Sequence, residues 1–474
     1  MKNKIILLLA LIGFSNLFYA QNNEYGTKFE YDPKSELDAK FVLKDNYNHY
    51  LFSAINVDGM LRNHQIILRK FDQKNKLVQT FRQDYGSKDL SVLCNYLGSF
   101  EVDNNKIIVI TESYSGKLNK KEITKHLFDK TTSTFESTVI ATYPIESLSK
   151  SGTTYVRKSE NNNFIGIDYV AYNSKKDPEQ NTITMLDATG KQVWQKTVSL
   201  DPGFFTNGFT VTNSATAIVM REARSYKVNS IMTIINAEKQ EDKTFDAEIK
   251  VQEPKSISIG NKDYLLAFNY PKKGVRSCDF QDLLLYDLEN GKILKNNKIS
   301  AFDSAKDLRE VIFKNITLQN NEIIIFAEAK SEIVVKPTPD MVISWDKNYK
   351  YEKASLFVMS FDGTLKTEKQ LINDQNVYSN LFQSYGLLSV KGNFYVNNGF
   401  DNYYKHTNTF CPLDALNNYA KNSSKCLNIT SILNQTNHRL VNQLVCHFQD
   451  SNRIVFTIMT NENEMCLVNV YGLQ

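Results

Sequence analysis

Repetition constrains this chain more than any other feature. One unit, a strand, an Asn-rich polar turn and then a strongly apolar strand, recurs along its whole length. The copies read LKDNYNHYLFSAI, EVDNNKIIVITES, KSENNNFIGIDYV, VTNSATAIVMRE, SIGNKDYLLAFNY, TLQNNEIIIFAE, SVKGNFYVNNG and FQDSNRIVFTIM. The residues that open the second strand are Tyr50, Lys106, Phe164, Ala217, Tyr264, Glu322, Phe394 and Arg453, spaced by 56, 58, 53, 47, 58, 72 and 59. A second unit runs from an apolar strand through Asp or Asn into a polar turn and a further strand. Its markers are Asp72, Asp129, Asp187, Asn236, Asp287, Asp362 and, more weakly, Asp414. Short Asp and Asn side chains bond nearby backbone N–H groups and so favour such turns. Gly190, Gly291 and Gly363 add positive φ in three of them.

The two series interleave. Each turn marker follows its anchor by 22, 23, 23, 19, 23, 40 and 20 residues. Four strands per repeat, A to D, satisfy this spacing: an A–B hairpin, a longer B–C connection and a C–D hairpin. Four-stranded sheets at this period predict an all-β chain folded as one β-propeller. A single sheet cannot bury both its faces, so neighbours must stack around an axis. The last repeat ends at Gln474 without a D strand, and EYGTKFEYDP, residues 24–33, is the candidate to supply it. Closure of that kind removes two raw sheet edges. Eight blades are expected, with seven as the alternative because the seventh repeat is irregular.

The chain opens MKNKIILLLALIGFSNLFYAQNN, with Lys2 and Lys4 before an apolar run and Ala20 before Gln21. That is the layout of a secretory signal peptide, residues 1–20, leaving residues 21–474 as the propeller domain. It implies an exported bacterial protein, periplasmic, outer-surface or extracellular in a Gram-negative-type cell. No later run reaches membrane-spanning length, so no transmembrane segment is expected in the mature chain. Without the two leader lysines, 54 basic residues face 52 acidic ones. That balance argues against nucleic acid as a partner, which calls for a concentrated basic surface.

The stretch MLDATGKQVW places Asp187, Gly190, Lys191 and Trp194 in the pattern Asp-x-x-Gly-Lys-x-x-Trp. At this one motif the chain resembles the quinoprotein-like (PQQ-repeat) eight-bladed propellers. There each such Trp docks between neighbouring sheets, so the resemblance implies that Trp194 is an interblade wedge on strand D. Those proteins bind a quinone and Ca²⁺ over the central funnel, and many carry adjacent cysteines there. No Cys-Cys pair occurs in this chain, and no cofactor is predicted.

In an up-and-down sheet the A–B and C–D turns share one edge, and the B–C and D–A connections share the other. Resemblance to the fold implies that ligands sit on the B–C face. The B–C loops are long and varied, and blade six carries an insertion at about 328–354. Insertions of this length are more often functional than ordinary connections. Trp345, Tyr349 and Tyr351 within it, and Tyr403 and Tyr404 of blade seven, offer flat apolar faces for a sugar ring or a peptide side chain. Packing of the insertion against the rim is the alternative use for them. Arg221, Arg224, Lys227, Lys272, Lys273 and Arg276 make the loops of blades four and five locally basic, and Arg224, Lys272, Lys273 and Arg276 are candidate anion contacts. Across all eight loops, however, 18 basic residues meet 16 acidic ones, as on any solvated surface.

Catalytic signatures are absent from the sequence. Six His residues show no HExxH or HxH spacing, and there is no phosphate loop and no Gly-x-Ser-x-Gly elbow. Cys446 and His447 are neighbours on a strand and point to opposite faces, so they cannot chelate together. No metal site is predicted. Cys411 and Cys426 fall on or near adjacent strands of blade seven and are a possible disulfide. Cys446 and Cys466 sit on strands A and C of blade eight, about 9–10 Å apart at ~4.8 Å per strand step, beyond the ~7 Å reach of a bridge. The sequence therefore predicts a non-catalytic binding or interaction propeller that recognises a glycan, peptide or protein. A carbohydrate-active or quinone-dependent enzyme and an envelope-assembly scaffold are the alternatives.

Overall fold

The apolar B strands explain the architecture. In blade two, Ile107, Ile108, Val109 and Ile110 are all fully buried, so both faces of the strand are covered. Ile107 and Val109 pack with Tyr50, Phe52 and Leu68 of blade one. Ile108 and Ile110 pack with Ile165 and Ile167 of blade three. Alternate side chains thus serve two different neighbours, as the period of two in a strand requires. D strands lie at the rim and alternate instead, with Gln192, Val193, Gln195 and Ser199 exposed and Trp194 and Val198 buried.

The structure, a computed structural model, describes residues 23–471 apart from short connections and the stretches 224–229, 271–281, 303–309, 335–346, 378–385, 413–426 and 429–438. It is an eight-bladed β-propeller of antiparallel four-stranded sheets. Blade one comprises Glu36–Val42, Asn48–Val57, Asn63–Asp72 and Leu77–Asp84; blade two comprises Val92–Asp103, Lys106–Ser115, Lys120–Asp129 and Thr134–Pro144. Blade three comprises Thr153–Lys158, Phe164–Val170, Glu179–Asp187 and Gln192–Leu200; blade four comprises Phe204–Val211, Ala217–Ala223, Ile231–Ile235 and Gln240–Thr244. Blade five comprises Val251–Ile259, Lys262–Asn269, Asp282–Asp287 and Lys292–Lys298; blade six comprises Glu310–Gln319, Glu322–Val334, Lys347–Ser360 and Leu365–Ile372.

Blade seven is the least regular. Its strands are Gly386–Val390, Asn393–Asn397, Thr409–Pro412 and Leu427–Asn428, with a small hairpin, Phe400–Asp401 and Lys405–His406, between B and C. Residues 413–426, between its C and D strands, lie outside the described residues, and with them Asp414, its expected marker.

Blade eight takes Arg439–Phe448, Arg453–Asn461 and Glu464–Tyr471 from the C-terminus and its fourth strand from the N-terminus. The expected closing strand is present but split. Asn23–Tyr25 pairs with Val470–Val468, and Phe29–Glu30 pairs with Met465–Glu464, one residue out of register with the first pair. Gly26 marks the break: its N–H still bonds Leu467 O at 2.8 Å, and Thr27 N–H turns to Asn75 O in blade one. A Cβ at residue 26 would lie 2.2 Å from that same Asn75 oxygen, so only glycine fits. Within blade one, buried Arg69 donates to Glu36 at 2.7 and 2.8 Å. Arg69 also donates to Glu30 O and lies over the Phe29 and Tyr31 rings.

Candidate functional site

A strands of successive blades contact one another and form the inner ring. Six of the eight carry a bulge in their pairing with strand B, in blades one, two, four, five, six and eight. Such bulges re-aim side chains and recur beside functional sites. Two pairs beyond the bulge, toward the B–C face, one register position holds Glu112, Glu222, Asn269 and Glu328 in blades two, four, five and six. All four are buried.

Glu112 and Glu222 bond to the next blade, and Asn269 and Glu328 are paired within their own. Glu112 accepts from Asn95 at 3.1 Å and from Thr154 of blade three at 2.7 Å, and it pairs with buried Lys121 at 3.1 Å. Lys121 lies over the Tyr114 and Tyr169 rings, and Tyr169 stacks on Tyr143 with centroids 4.0 Å apart. Glu222 accepts from Tyr270 Oη–H of blade five at 2.8 Å. In blade six the bulged residue itself, Lys314, meets Glu328 at 3.3 Å. Blade five uses Asn269, whose amide donates to Asp282 at 2.7 Å, while Lys298 pairs with Asp282 at 2.8 Å. This repeated polar layer lies under the B–C face, and at Glu112 and Glu222 it ties one blade to the next. Its sequence signal was present, five or six residues after each anchor, in ITES, MREA, LAFN and AEA.

Blade three has a related cluster. Asp168 is fully buried, and the amide of Asn181 donates to both its oxygens at 3.0 Å. The same amide reaches Thr206 of blade four, whose N–H and hydroxyl donate to Glu179 at 2.7 and 2.9 Å. Burial pushes the Asp168 carboxyl up to about 7, the Asn181 bond opposes this, and the Glu179 charge adds to it.

The B–C face itself is only partly described. Trp345, Arg224, Lys227, Lys272, Lys273, Arg276, Tyr403 and Tyr404 lie outside the described residues, as does Cys426. Tyr349 and Tyr351 are placed by backbone. The blade-six insertion begins as an extended B–C hairpin, paired from Glu322↔Ser360 out to Val334↔Lys347. A fifth strand, Gln375–Val377, adds to its outer part: Tyr349 faces Glu332 on one side and Val377 on the other, and Tyr351 faces Lys330 and Gln375. Spaced by two, positions 349 and 351 share one face of that sheet. Arg221 corrects the charge reading of blade four: it is a strand residue, fully buried, and pairs with Asp242 at 2.8 Å. Two exposed residues on this face escaped the sequence reading. Leu118 is 60% exposed and Tyr172 is 52% exposed, with Lys150 Nζ 5.5 Å from the Tyr172 ring. Both lie in B–C connections, where an isolated apolar residue gives no distinctive sequence signal.

The opposite edge is built from side-chain-locked turns. Asp187 accepts from Thr189 N–H at 2.8 Å and Lys191 N–H at 3.0 Å, and Gly190 has φ +77°. Asp72, Asp129, Asn236, Asp287 and Asp362 accept from turn N–H groups in the same manner. Trp194 is the expected wedge. It packs with Phe209, Val211 and Val219 of blade four, and its Nε1–H donates to Ala215 O at 3.0 Å. The stretch Asp187–Trp194 is therefore a turn and a wedge.

Cys446 and Cys466 are buried thiols on strands A and C with no bridge between them, as expected, and Cys94 is not disulfide-bonded either. Cys411 is disulfide-bonded. Among the described residues, no group of three or more His, Cys, Asp or Glu side chains is placed to hold a metal ion. Among them, too, no helix is long and apolar enough to cross a membrane.

No protein family model matches the chain, and no curated protein matches it. Solved structures do. The β-propeller domain of the Trilobed protease from Pyrococcus furiosus is 11% identical over 72% of this chain and 96% of that one, with a TM-score of 0.35. The WD40 domain of SCAP from fission yeast is 8% identical over 95% and 94%, with a TM-score of 0.37. Aleuria aurantia lectin, in complex with alpha-methyl-L-fucoside, is 12% identical over 72% and 96%, with a TM-score of 0.34. At these identities the likeness is one of fold.

Proposed function

We propose that this chain is an exported binding propeller that takes a glycan, peptide or protein partner on its B–C face. The observation that carries the reading is the blade-six hairpin. It continues past the start of its own A strand, where Glu310 pairs with Lys330, for four further residues on the B side. The fifth strand stiffens it there, which the ring itself does not need. A stiffened arm that carries positions 349 and 351 on one face offers the aromatic area of two Tyr residues at low entropic cost. Leu118 and Tyr172, in the B–C connections of blades two and three, are exposed on the same face.

The test uses the mature chain from residue 21, fluorescently labelled, on printed arrays of oligosaccharides and peptides. Replacement of Trp345, Tyr349 and Tyr351 by Ala is expected to abolish the array signal while leaving the melting temperature within about 2 °C. Unchanged binding by that variant would remove the arm from the site. Export is tested by N-terminal sequencing of the protein recovered outside the cytoplasm, with Gln21 expected as its first residue.

A further inference from the structure

The ring closes at the seam between blades eight and one, where the closing segment is split at Gly26. Buried polar atoms without a hydrogen bond gather beside it. Among the described residues they include both ring nitrogens of His49, both side-chain polar atoms of Asn75, Arg453 Nε and Asn469 Oδ1. All four residues are buried, three of them completely. A buried polar group left without a partner costs the folded state its lost hydration. The seam is therefore closed against a penalty.

His49 is the group in this set that can change charge near neutral pH. Its ring lies 5.7 Å from Phe41 and 5.6 Å from Phe71 of its own blade, and 5.3 Å from Phe448 of blade eight. Phe71 in turn meets Phe29 of the closing segment at 5.1 Å. The imidazole thus sits among three phenyl rings, one contact away from the strand that completes the ring. Arg453, whose guanidinium is 4.1 Å from the Phe448 ring, and Lys44 of the A–B turn both oppose a proton on His49. Asp45 of the same turn favours one, but it is paired with Lys130. Asp72, beside Phe71, accepts from the Lys74 and Lys76 N–H groups, and burial pushes the Cys446 thiol up. Burial, reinforced by Arg453, pushes the His49 imidazolium down to about 3. A solvated His takes up its proton near pH 6.5.

We propose that the seam between blades eight and one is an acid-sensitive latch with His49 as its trigger. Above about pH 6.5 the imidazole is neutral in both the closed and the parted seam, and the latch holds. As pH falls from there toward 3, the parted seam binds a proton that the closed seam cannot, so opening gains population. Opening frees residues 23–30 and bares the edge of Glu464–Tyr471. The latch is independent of the blade-six arm, which contributes no residue to it.

Hydrogen–deuterium exchange of the mature chain at pH 7 and pH 5, with labelling times corrected for the intrinsic rate, tests the latch. Opening of the peptides covering 23–31 and 464–471 is expected to rise at least about tenfold at the lower pH, while strand Ile231–Ile235 of blade four shows no rise. His49→Phe keeps an aromatic ring among the three phenyl groups and cannot take a proton. Its seam peptides are expected to keep their protection within about twofold between the two pH values. Should His49→Phe fail to fold, His49→Leu carries the same expectation. An acid-induced rise retained in the variant, no rise in the wild-type chain, or an equal rise in Ile231–Ile235 would overturn the proposal.

Discussion

Asp187 and Asp168 lie on neighbouring strands of blade three and do opposite things. Asp187 sits at the turn edge, where burial pushes its carboxyl up but hydrogen bonds from Thr189 and Lys191 outweigh this and hold it below its usual value. Asp168 sits toward the B–C edge, fully buried, with one amide as its donor and a second carboxylate nearby. The first is satisfied by its own backbone and shapes a loop. The second is satisfied by another side chain and shapes a joint between blades. The turn edge of the disc is thus self-sufficient, whereas the loop edge rests on a buried polar layer shared between blades. Long connections can vary above such a layer without disturbing the turns that set register.

The comparison can be broken at several points. Trp194→Ala at the turn edge empties the wedge between blades three and four and removes its bond to Ala215. Its expected cost is about 3–5 kcal/mol, read by denaturant unfolding; a loss under about 1 kcal/mol would show that the wedge is dispensable. Asp168→Asn tests the buried layer through pH. The folded chain keeps a proton that an unfolded Asp, with a pKa near 4, has released. Native stability from this group is therefore greatest below about pH 4 and declines as pH rises toward 7. The Asn variant should accordingly be more stable at pH 8, by up to about 4 kcal/mol, and gain nothing at pH 4. A gain independent of pH would refute the protonation account.

Smaller effects sharpen it further. Asp187→Ala removes the acceptor for two turn N–H groups and should cost about 1–2 kcal/mol, with array binding retained. For blade seven, the register Thr409↔Asn428 and Phe410↔Leu427, continued by one residue, proposes Cys426 as the bridge partner of Cys411. Peptide mapping without reduction should find the 411–426 pair; a bridge from Cys411 to Cys278 would refute it. Reduction should loosen blade seven and leave the turns of blades two to five unchanged.

Much of the ring was legible because its signals are local. Asp72, Asp129 and Asp187 mark turns through their own backbone bonds, and the anchors open strands whose apolar runs need two covering neighbours. Closure was legible from arithmetic, although the break at Gly26 was not, since it depends on Asn75 of another blade. The buried carboxylates were harder to read. Glu112, Glu222 and Glu328 look like ordinary charged residues at strand ends, and only pairing register reveals that they occupy one position. Arg221 misled for the same reason: it borders a basic loop in sequence but faces Asp242 across the sheet.

Hydrogen–deuterium exchange on the mature chain, with and without its best array ligand, tests the central claim most directly. The account predicts protection in residues 331–353 and in the B–C connections near 118 and 172, with no change in the turn peptides spanning 187–191 and 287–291. Protection confined to those turn peptides, with the blade-six arm unaffected, would contradict it.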